Sequence, residues 1–127
     1  MKATPEFGQI VATLARVEVL TIAADASQSD VLDCRGFRIA AIEWPSAWTE
    51  ADMTFLHCIT KDGTFTPLNA DGVEVTEAVT ASTSSAISSN AQALSGLAFL
   101  KFRSGTATTA VTQAAERTIK VHLVAAA

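Results

Sequence analysis

The chain has 127 residues, of which 49% are apolar and 17% are charged, and its formal net charge is −4. This composition excludes a disordered chain and is sufficient for one domain with its own core. The nine Lys and Arg residues form no stripe and no apolar run approaches the ~20 residues of a membrane span, so we expect neither nucleic acid nor a membrane as a partner.

Apolar and polar residues alternate in short stretches broken by turn residues, and no sustained helical period is present. This pattern predicts about eight short antiparallel strands in an all-β, jelly-roll-like β-sandwich. We assign residues 1–15 to an N-terminal arm or first edge segment, and residues 16–127 to a single β-sandwich domain. The predicted strands cover residues 16–22, 31–34, 37–44, 53–60, 65–68, 73–76, 97–103 and 117–124, with a small edge strand at 86–88.

Three local features refine this prediction. The apolar parity of the first strand shifts near Val19 and Leu20, which indicates a β-bulge. Residues 46–52 form a connection in which Thr49 is expected to cap one helical turn. In the last strand, the alternation directs one set of side chains into the core, namely Ile119, Val121 and Leu123.

Residues that often carry chemistry are few and scattered. His57 shares a strand face with apolar neighbours, and we interpret it as a core histidine with satisfied hydrogen bonds. Cys34 and Cys58 are interpreted as buried small hydrophobic residues rather than as a disulfide or a metal pair. No motif for metal-dependent hydrolysis, nucleophilic catalysis or phosphate binding is present. We therefore predict no catalytic residue, no cofactor and no metal, and a protein that is not an enzyme.

Two segments are candidates for contact with a partner. Trp44 and Trp48 flank Pro45. They form either an aromatic platform for a sugar or a protein, or a structural pair in which Trp44 closes the core and Trp48 covers one end of the sandwich. Residues 77–90 are rich in Ser, Thr and Ala, and they form either a flexible loop or an arm that adds a strand to a neighbouring protein.

Several segments together resemble small virion proteins of tailed bacteriophages. They are the stretches IEWPSAWTEADMTF (residues 42–55), KDGT (61–64), LNADGVEV (68–75), LAFLKFRSGT (97–106) and VTQAAERT (111–118). This succession is similar to capsid decoration (cement) proteins and to the base domains of head fibres. The resemblance covers roughly residues 16–124 and implies a β-sandwich related to jelly rolls.

The resemblance also implies a function. The expected role is a decoration protein that binds the outer capsid surface and stabilises the shell, with the major capsid protein as its partner. A homo-oligomer is expected, with a trimer among the options, on the virion surface after synthesis in the host bacterial cytoplasm. The alternative is a carbohydrate-binding or host-adhesion module of a head or tail fibre. The residues expected at the interface, chosen for their predicted exposure, are Phe7, Trp48, Thr83, Ser84 and Ser85.

Overall fold

The computed structural model describes residues 15–126, and this part of the chain consists of strands, turns and loops without a helix. The prediction of an all-β fold is confirmed. No helix in the described range has the length and apolar character needed to cross a membrane. The strands of this range are β1 (Ala15–Ile22), β2 (Leu32–Asp33), β3 (Phe37–Glu43), β4 (Met53–Cys58), β5 (Thr66–Pro67), β6 (Asn69–Ala70), β7 (Val73–Glu74), β8 (Thr76–Glu77), β9 (Ser84–Ala86), β10 (Phe99–Ser104) and β11 (Arg117–Ala125).

The strands form antiparallel sheets. A four-stranded sheet has the order β1-β11-β3-β9, and a five-stranded sheet has the order β2-β10-β4-β5, with β8 also paired to β4. Strands β6 and β7 form a separate two-stranded hairpin. Between β1 and β4, successive strands alternate between the two larger sheets, and the same is true from β8 to β11.

One shared core receives side chains from both larger sheets. The four-stranded sheet contributes Leu20, Ile42 and Val121, and the five-stranded sheet contributes Phe55 and Phe102. The two phenylalanine rings meet edge to face, with their centroids 4.9 Å apart. This arrangement is favourable for aromatic pairs because the positive ring edge meets the negative face. The inward orientation predicted for the last strand is confirmed, since the side chains of Ile119, Val121 and Leu123 are fully buried.

The bulge predicted in the first strand is absent. β1 pairs with β11 in an unbroken register from Ala15 to Ile22, and the irregularity lies instead between β11 and β3, at His122 and Leu123. The apolar residues of β1 change from odd to even positions for another reason. Val17 and Val19 are 52% and 53% exposed, so these two apolar residues point away from the core.

The helical turn predicted at Thr49 is also absent. The backbone of Thr49 bonds instead to the side chain of Gln113, whose amide nitrogen donates to the Thr49 carbonyl at 3.0 Å and whose amide oxygen accepts from the Thr49 N–H at 2.8 Å. A long-range side chain thus satisfies the backbone groups that a helical turn would have paired.

Two interpretations on β4 need correction. His57 is half-buried rather than a core residue, and Cys58 is also half-buried, whereas Cys34 is buried as predicted. The reason is that β4 leaves the core at its C-terminal end. Phe55 is fully buried, but Ile59 is 84% exposed.

The segment rich in Ser, Thr and Ala contains a short edge strand, as predicted, but two residues earlier. β9 pairs with β3 through Ala41 and Ala86, Ile42 and Ser85, and Glu43 and Ser84. It therefore forms the edge of the four-stranded sheet opposite β1.

Candidate functional site

Trp44 is a core residue whose polar atom has a partner. It is buried, and its indole N–H donates to the Ser85 hydroxyl at 2.9 Å. Its backbone N–H donates to the Thr83 carbonyl, also at 2.9 Å. The interpretation that Trp44 closes the core is thereby supported, and the Ser85 hydroxyl is used within the chain.

The loop before β9 is hydrogen-bonded to the segment around Pro45. The Ser82 N–H donates to the Pro45 carbonyl at 2.8 Å, and the Ser82 hydroxyl donates to the Ser46 carbonyl at 3.2 Å. The Thr83 hydroxyl donates to the Thr80 carbonyl at 2.7 Å. These bonds hold the loop against its own chain and leave Thr83 and Ser84 exposed to solvent.

Trp48 lies beside this loop. It is half-buried, packs against the edge of the core, and donates its indole N–H to the Ala51 carbonyl at 2.9 Å. Together with residues of the loop and Glu50 it borders a shallow depression of about 270 Å³. We call this depression, together with the exposed residues that follow it in the chain, the Trp48 surface, and define it as Trp48, Glu50, Val79, Thr80, Ala81, Thr83 and Ser84.

The predicted interface residues therefore divide into three groups. Trp48 borders the depression together with residues 79–81, and Thr83 and Ser84 follow this stretch in the chain and are exposed. Ser85 points inward to Trp44. Phe7 lies outside the described residues.

A second, larger cleft lies between the edge of β1 and the second sheet. Its volume is about 630 Å³ and its walls carry both charged and apolar side chains, including Glu18, Arg35, Ile59, Lys61 and Phe99. The Arg35 guanidinium lies over the Phe99 ring, 4.8 Å from its centroid, which is a favourable cation–π geometry. We refer to this region as the Phe99 cleft.

The main charges of the Phe99 cleft neutralise each other. Arg35 and Asp33 form a salt bridge with a nitrogen–oxygen distance of 2.8 Å. The side-chain hydrogen bond from Arg35 lowers the pKa of Asp33 to about 2. Asp33 therefore remains ionised across the pH range in which proteins usually work, and the pair is not a proton donor or acceptor there.

The outer side of the five-stranded sheet holds a charged network that the sequence alone did not reveal. The Arg103 guanidinium donates to the Glu74 carboxylate at 2.5 Å and to the Thr54 hydroxyl at 3.0 Å. The same carboxylate accepts the backbone N–H of Ala107 at 3.1 Å. These bonds attach the β6–β7 hairpin to β10, which is a structural role.

The two thiols have different environments. Burial raises the pKa of the Cys34 thiol to about 11. A backbone hydrogen bond from Thr60 is the main cause of a lowered pKa at the Cys58 thiol. Both cysteines are free, and within residues 15–126 no cluster of three or more His, Cys, Asp or Glu side chains is placed to hold a metal ion.

Comparisons of the chain with protein-family models, with curated proteins and with solved structures found no match. The Trp48 surface and the Phe99 cleft are thus defined by their own geometry alone.

Proposed function

We propose that the two larger sheets form a jelly-roll β-sandwich. The strand order supports this proposal when the stretch from β5 to β8 is counted as one position beside β4. The eight positions then have the order first, eighth, third, sixth in one sheet and second, seventh, fourth, fifth in the other. This is the strand order of a jelly roll, an architecture that occurs in viral capsid proteins and in lectins.

We further propose that the chain is a decoration protein of a tailed-phage virion, which binds the outer surface of the capsid. The strand order of the two larger sheets, counted as above, is the observation that carries the proposal, together with the sequence resemblance described above. Because a fold hosts many functions, the argument also needs a surface suited to contact. The Trp48 surface has this character, since it joins a half-buried aromatic anchor to a rim of small side chains, with Glu50 as the one charged residue of the depression.

The mechanism of stabilisation would be mass action. Each copy bound to the assembled shell, but not to dissociated subunits, favours the assembled state by an amount that depends on its concentration and affinity. Many copies on one shell make modest individual contacts sufficient. This role requires no catalysis, and we propose a structural rather than enzymatic protein.

The hydrogen bonds that hold the loop before β9 in place favour a contact with the capsid. A loop held by Ser82 to Pro45 and Ser46 loses little conformational entropy on binding, and this preorganisation improves affinity. Thr83 and Ser84 keep their side chains exposed on this supported loop. We therefore expect these two residues to lie at the centre of the contact with the major capsid protein.

The test is co-sedimentation of the purified chain with empty shells assembled from the major capsid protein of the same phage. The proposal predicts saturable binding at a fixed ratio of chain to capsid protein, and shells that dissociate at a higher temperature when the chain is bound. A chain that stays in the supernatant at every concentration would overturn the proposal.

The position of the contact is tested by a double variant, Thr83→Arg with Ser84→Arg. These residues are exposed, so the fold should persist while the two added charges are placed in the contact. We expect at least about ten-fold weaker binding to shells. The matched control is Thr108→Arg with Thr109→Arg, at two exposed residues of a loop distant in sequence. Equal loss of binding in both variants would contradict the assignment of the contact to the Trp48 surface.

One observation favours a second function, which is binding of a carbohydrate. Trp48 and Glu50 border the same depression, and an aromatic side chain beside a polar group that can fix orientation is typical of small-molecule sites. Screening of the purified chain on a glycan array distinguishes the two functions. Specific glycan binding that Trp48→Ala abolishes, without binding to shells, would favour an adhesion module.

A further inference from the structure

We propose that two copies of this chain associate edge to edge through β1, so that the two four-stranded sheets join into one continuous sheet across a two-fold axis. The inference concerns contact between two copies in solution and does not depend on capsid binding. It rests on which backbone groups β1 presents, on the side chains beside them, and on the charges that the pairing brings together.

The first observation is the position of β1. It lies at the end of the four-stranded sheet, and within residues 15–126 its only strand partner is β11. Proteins usually protect such edges with a proline, a bulge, a very short strand or a row of charges. β1 has eight residues, contains no proline, and keeps an unbroken register with β11.

The second observation identifies which backbone groups face outward. In an antiparallel sheet, each residue directs its N–H and its C=O to the same side of the strand. Successive residues point alternately to the strand on one side and to the strand, or the open edge, on the other. The N–H of Thr21 donates to the Asp30 carboxylate at 2.9 Å, and the Thr21 carbonyl accepts from the Asp30 N–H at 3.3 Å. Thr21 therefore faces the outer edge, and by alternation Ala15, Val17 and Val19 face it too.

The contact with Asp30 limits the length available for pairing. Thr21 is already bonded on its outer side, so a second strand can pair only with residues 15–19 of the described chain. The side chains of Ala15, Val17 and Val19 are exposed on the outer face of the sheet. Two such strands side by side would place an uncharged row of Ala and Val against its own copy.

The third observation selects the register. If the two-fold axis passes at Val17, then Val17 pairs with Val17 of the second copy, and Ala15 pairs with Val19. In the same register Arg16 stands opposite Glu18, and this opposite-charge pair occurs twice by symmetry. Opposite charges across antiparallel strands are favourable, and like charges are unfavourable.

The neighbouring registers are unfavourable for one of two reasons. They place like charges opposite each other, or they need backbone groups that are already hydrogen-bonded. An axis at residue 16 places Arg16 opposite Arg16, and an axis at residue 18 places Glu18 opposite Glu18. An axis at residue 19 requires the backbone of Thr21, which Asp30 already occupies. The register centred on Val17 is therefore the one that uses the open edge and pairs its charges.

The second sheet leaves room for this approach. On the side of β1 it ends with β2, which has only two residues. Arg16 and Glu18 are already close, with a nitrogen–oxygen distance of 3.6 Å, and each side chain remains more than one-third exposed. Arg16 also donates to the Asp33 carbonyl and lies over the Phe37 ring, and Glu18 lines the open Phe99 cleft, so both charges lie at the edge that a second copy would meet.

The test is sedimentation equilibrium of the full chain over a range of concentrations, in the absence of capsids. We expect a monomer–dimer equilibrium. Glu18→Arg places Arg opposite Arg and should weaken the dimer by at least about ten-fold. Exchanging the two charges, Arg16→Glu with Glu18→Arg, restores opposite pairs and should recover most of the affinity. The matched control is Lys120→Glu, an exposed charge reversal on β11.

Two further readouts separate pairing through the backbone from a general effect on folding. Amide hydrogen exchange at Val17 and Val19 should slow as concentration rises, whereas the amides of Arg16 and Glu18, which face β11, should not change. Val17→Pro removes the central outward N–H and should leave a folded monomer by circular dichroism.

A monomer at all accessible concentrations would overturn the proposal. So would a dimer or trimer whose affinity is the same in Glu18→Arg, in the charge exchange and in the wild-type chain. Because these measurements contain no shells, their outcome is independent of whether the chain binds a capsid.

Discussion

Gln113 and Thr49 lie 64 positions apart and exchange two hydrogen bonds between the Gln113 side-chain amide and the Thr49 backbone, at 3.0 and 2.8 Å. Gln113 is fully buried, and its amide nitrogen also donates to the Ser104 hydroxyl at 2.8 Å. A single side chain thus links the connection after Trp48, the end of β10 and the loop before β11. Its position also supports the segment that carries the Trp48 surface.

Replacement of this glutamine should destabilise the fold. Gln113→Ala leaves several buried polar groups without partners and creates a cavity, and we expect a loss of about 2–4 kcal/mol in the free energy of unfolding. Urea denaturation measures this change. Gln92→Ala removes an exposed glutamine and serves as the control. Equal stability of the two variants would contradict the role assigned to Gln113.

The ion pair between Glu74 and Arg103 gives a second prediction. The Arg103 side chain is only 7% exposed, so Glu74→Ala leaves a buried charge without its main partner. We expect a loss of about 3–5 kcal/mol in unfolding free energy, whereas replacing both residues together, Glu74→Leu with Arg103→Met, should cost much less. Denaturation of the single and double variants provides the measurement. A double variant as unstable as Glu74→Ala would show that the charge itself is not the cause.

Glycine positions give a third prediction. Gly105 has φ near +93°, and a Cβ added there would lie 2.5 Å from the Thr109 carbonyl oxygen. Gly72 has φ near +80° but open space around it. Both Ala variants carry backbone strain of about 1–2 kcal/mol, and only Gly105→Ala adds a steric clash. Thermal unfolding should therefore show a clearly lower Tm for Gly105→Ala than for Gly72→Ala, and similar values would be inconsistent with the close approach.

The salt bridge of Asp33 with Arg35 predicts that the free energy of unfolding depends on pH in the acid range. The folded-state pKa of Asp33 is lowered from 3.8 to about 2, so its stabilisation is present above pH ~4 and is lost as the pH falls towards 2. Because the pair is largely exposed, the effect should be below about 1 kcal/mol. Urea denaturation between pH 2 and 5 should show a smaller acid-induced loss in Asp33→Asn than in the wild-type chain. Parallel curves for the two proteins would contradict this assignment.

Local patterns in the sequence were enough to predict the strands but not the contacts between distant segments. Alternation located the long strands and the inward residues of β11, because each depends on burial of one face. It misplaced the bulge, since two exposed valines on β1 imitate a change of parity. It also missed Gln113, because a polar residue in a polar loop carries no local sign that a distant backbone needs its amide.

The candidate site shows the same limit. Exposure of Thr83 and Ser84 followed from their small polar side chains. For Trp48 the sequence left a platform and a covering role open, and the structure shows its side chain packed against the core. The orientation of Ser85 depends on Trp44, 41 positions away, and no local pattern around Ser85 indicates that hydrogen bond. The alternation predicted β1 as a strand. That β1 is an edge strand with outward backbone groups follows only from the order of strands in the sheet.

The most direct test of the proposed virion role is imaging of the virus particles released by cells that carry the gene for this chain. We predict that cryo-electron microscopy shows an all-β domain of this size at regular positions on the outer shell, and that peptides of the chain are found in the same particles by mass spectrometry. Purified particles that lack the chain, with the intact protein remaining in the unassembled fraction of the lysate, would contradict the account.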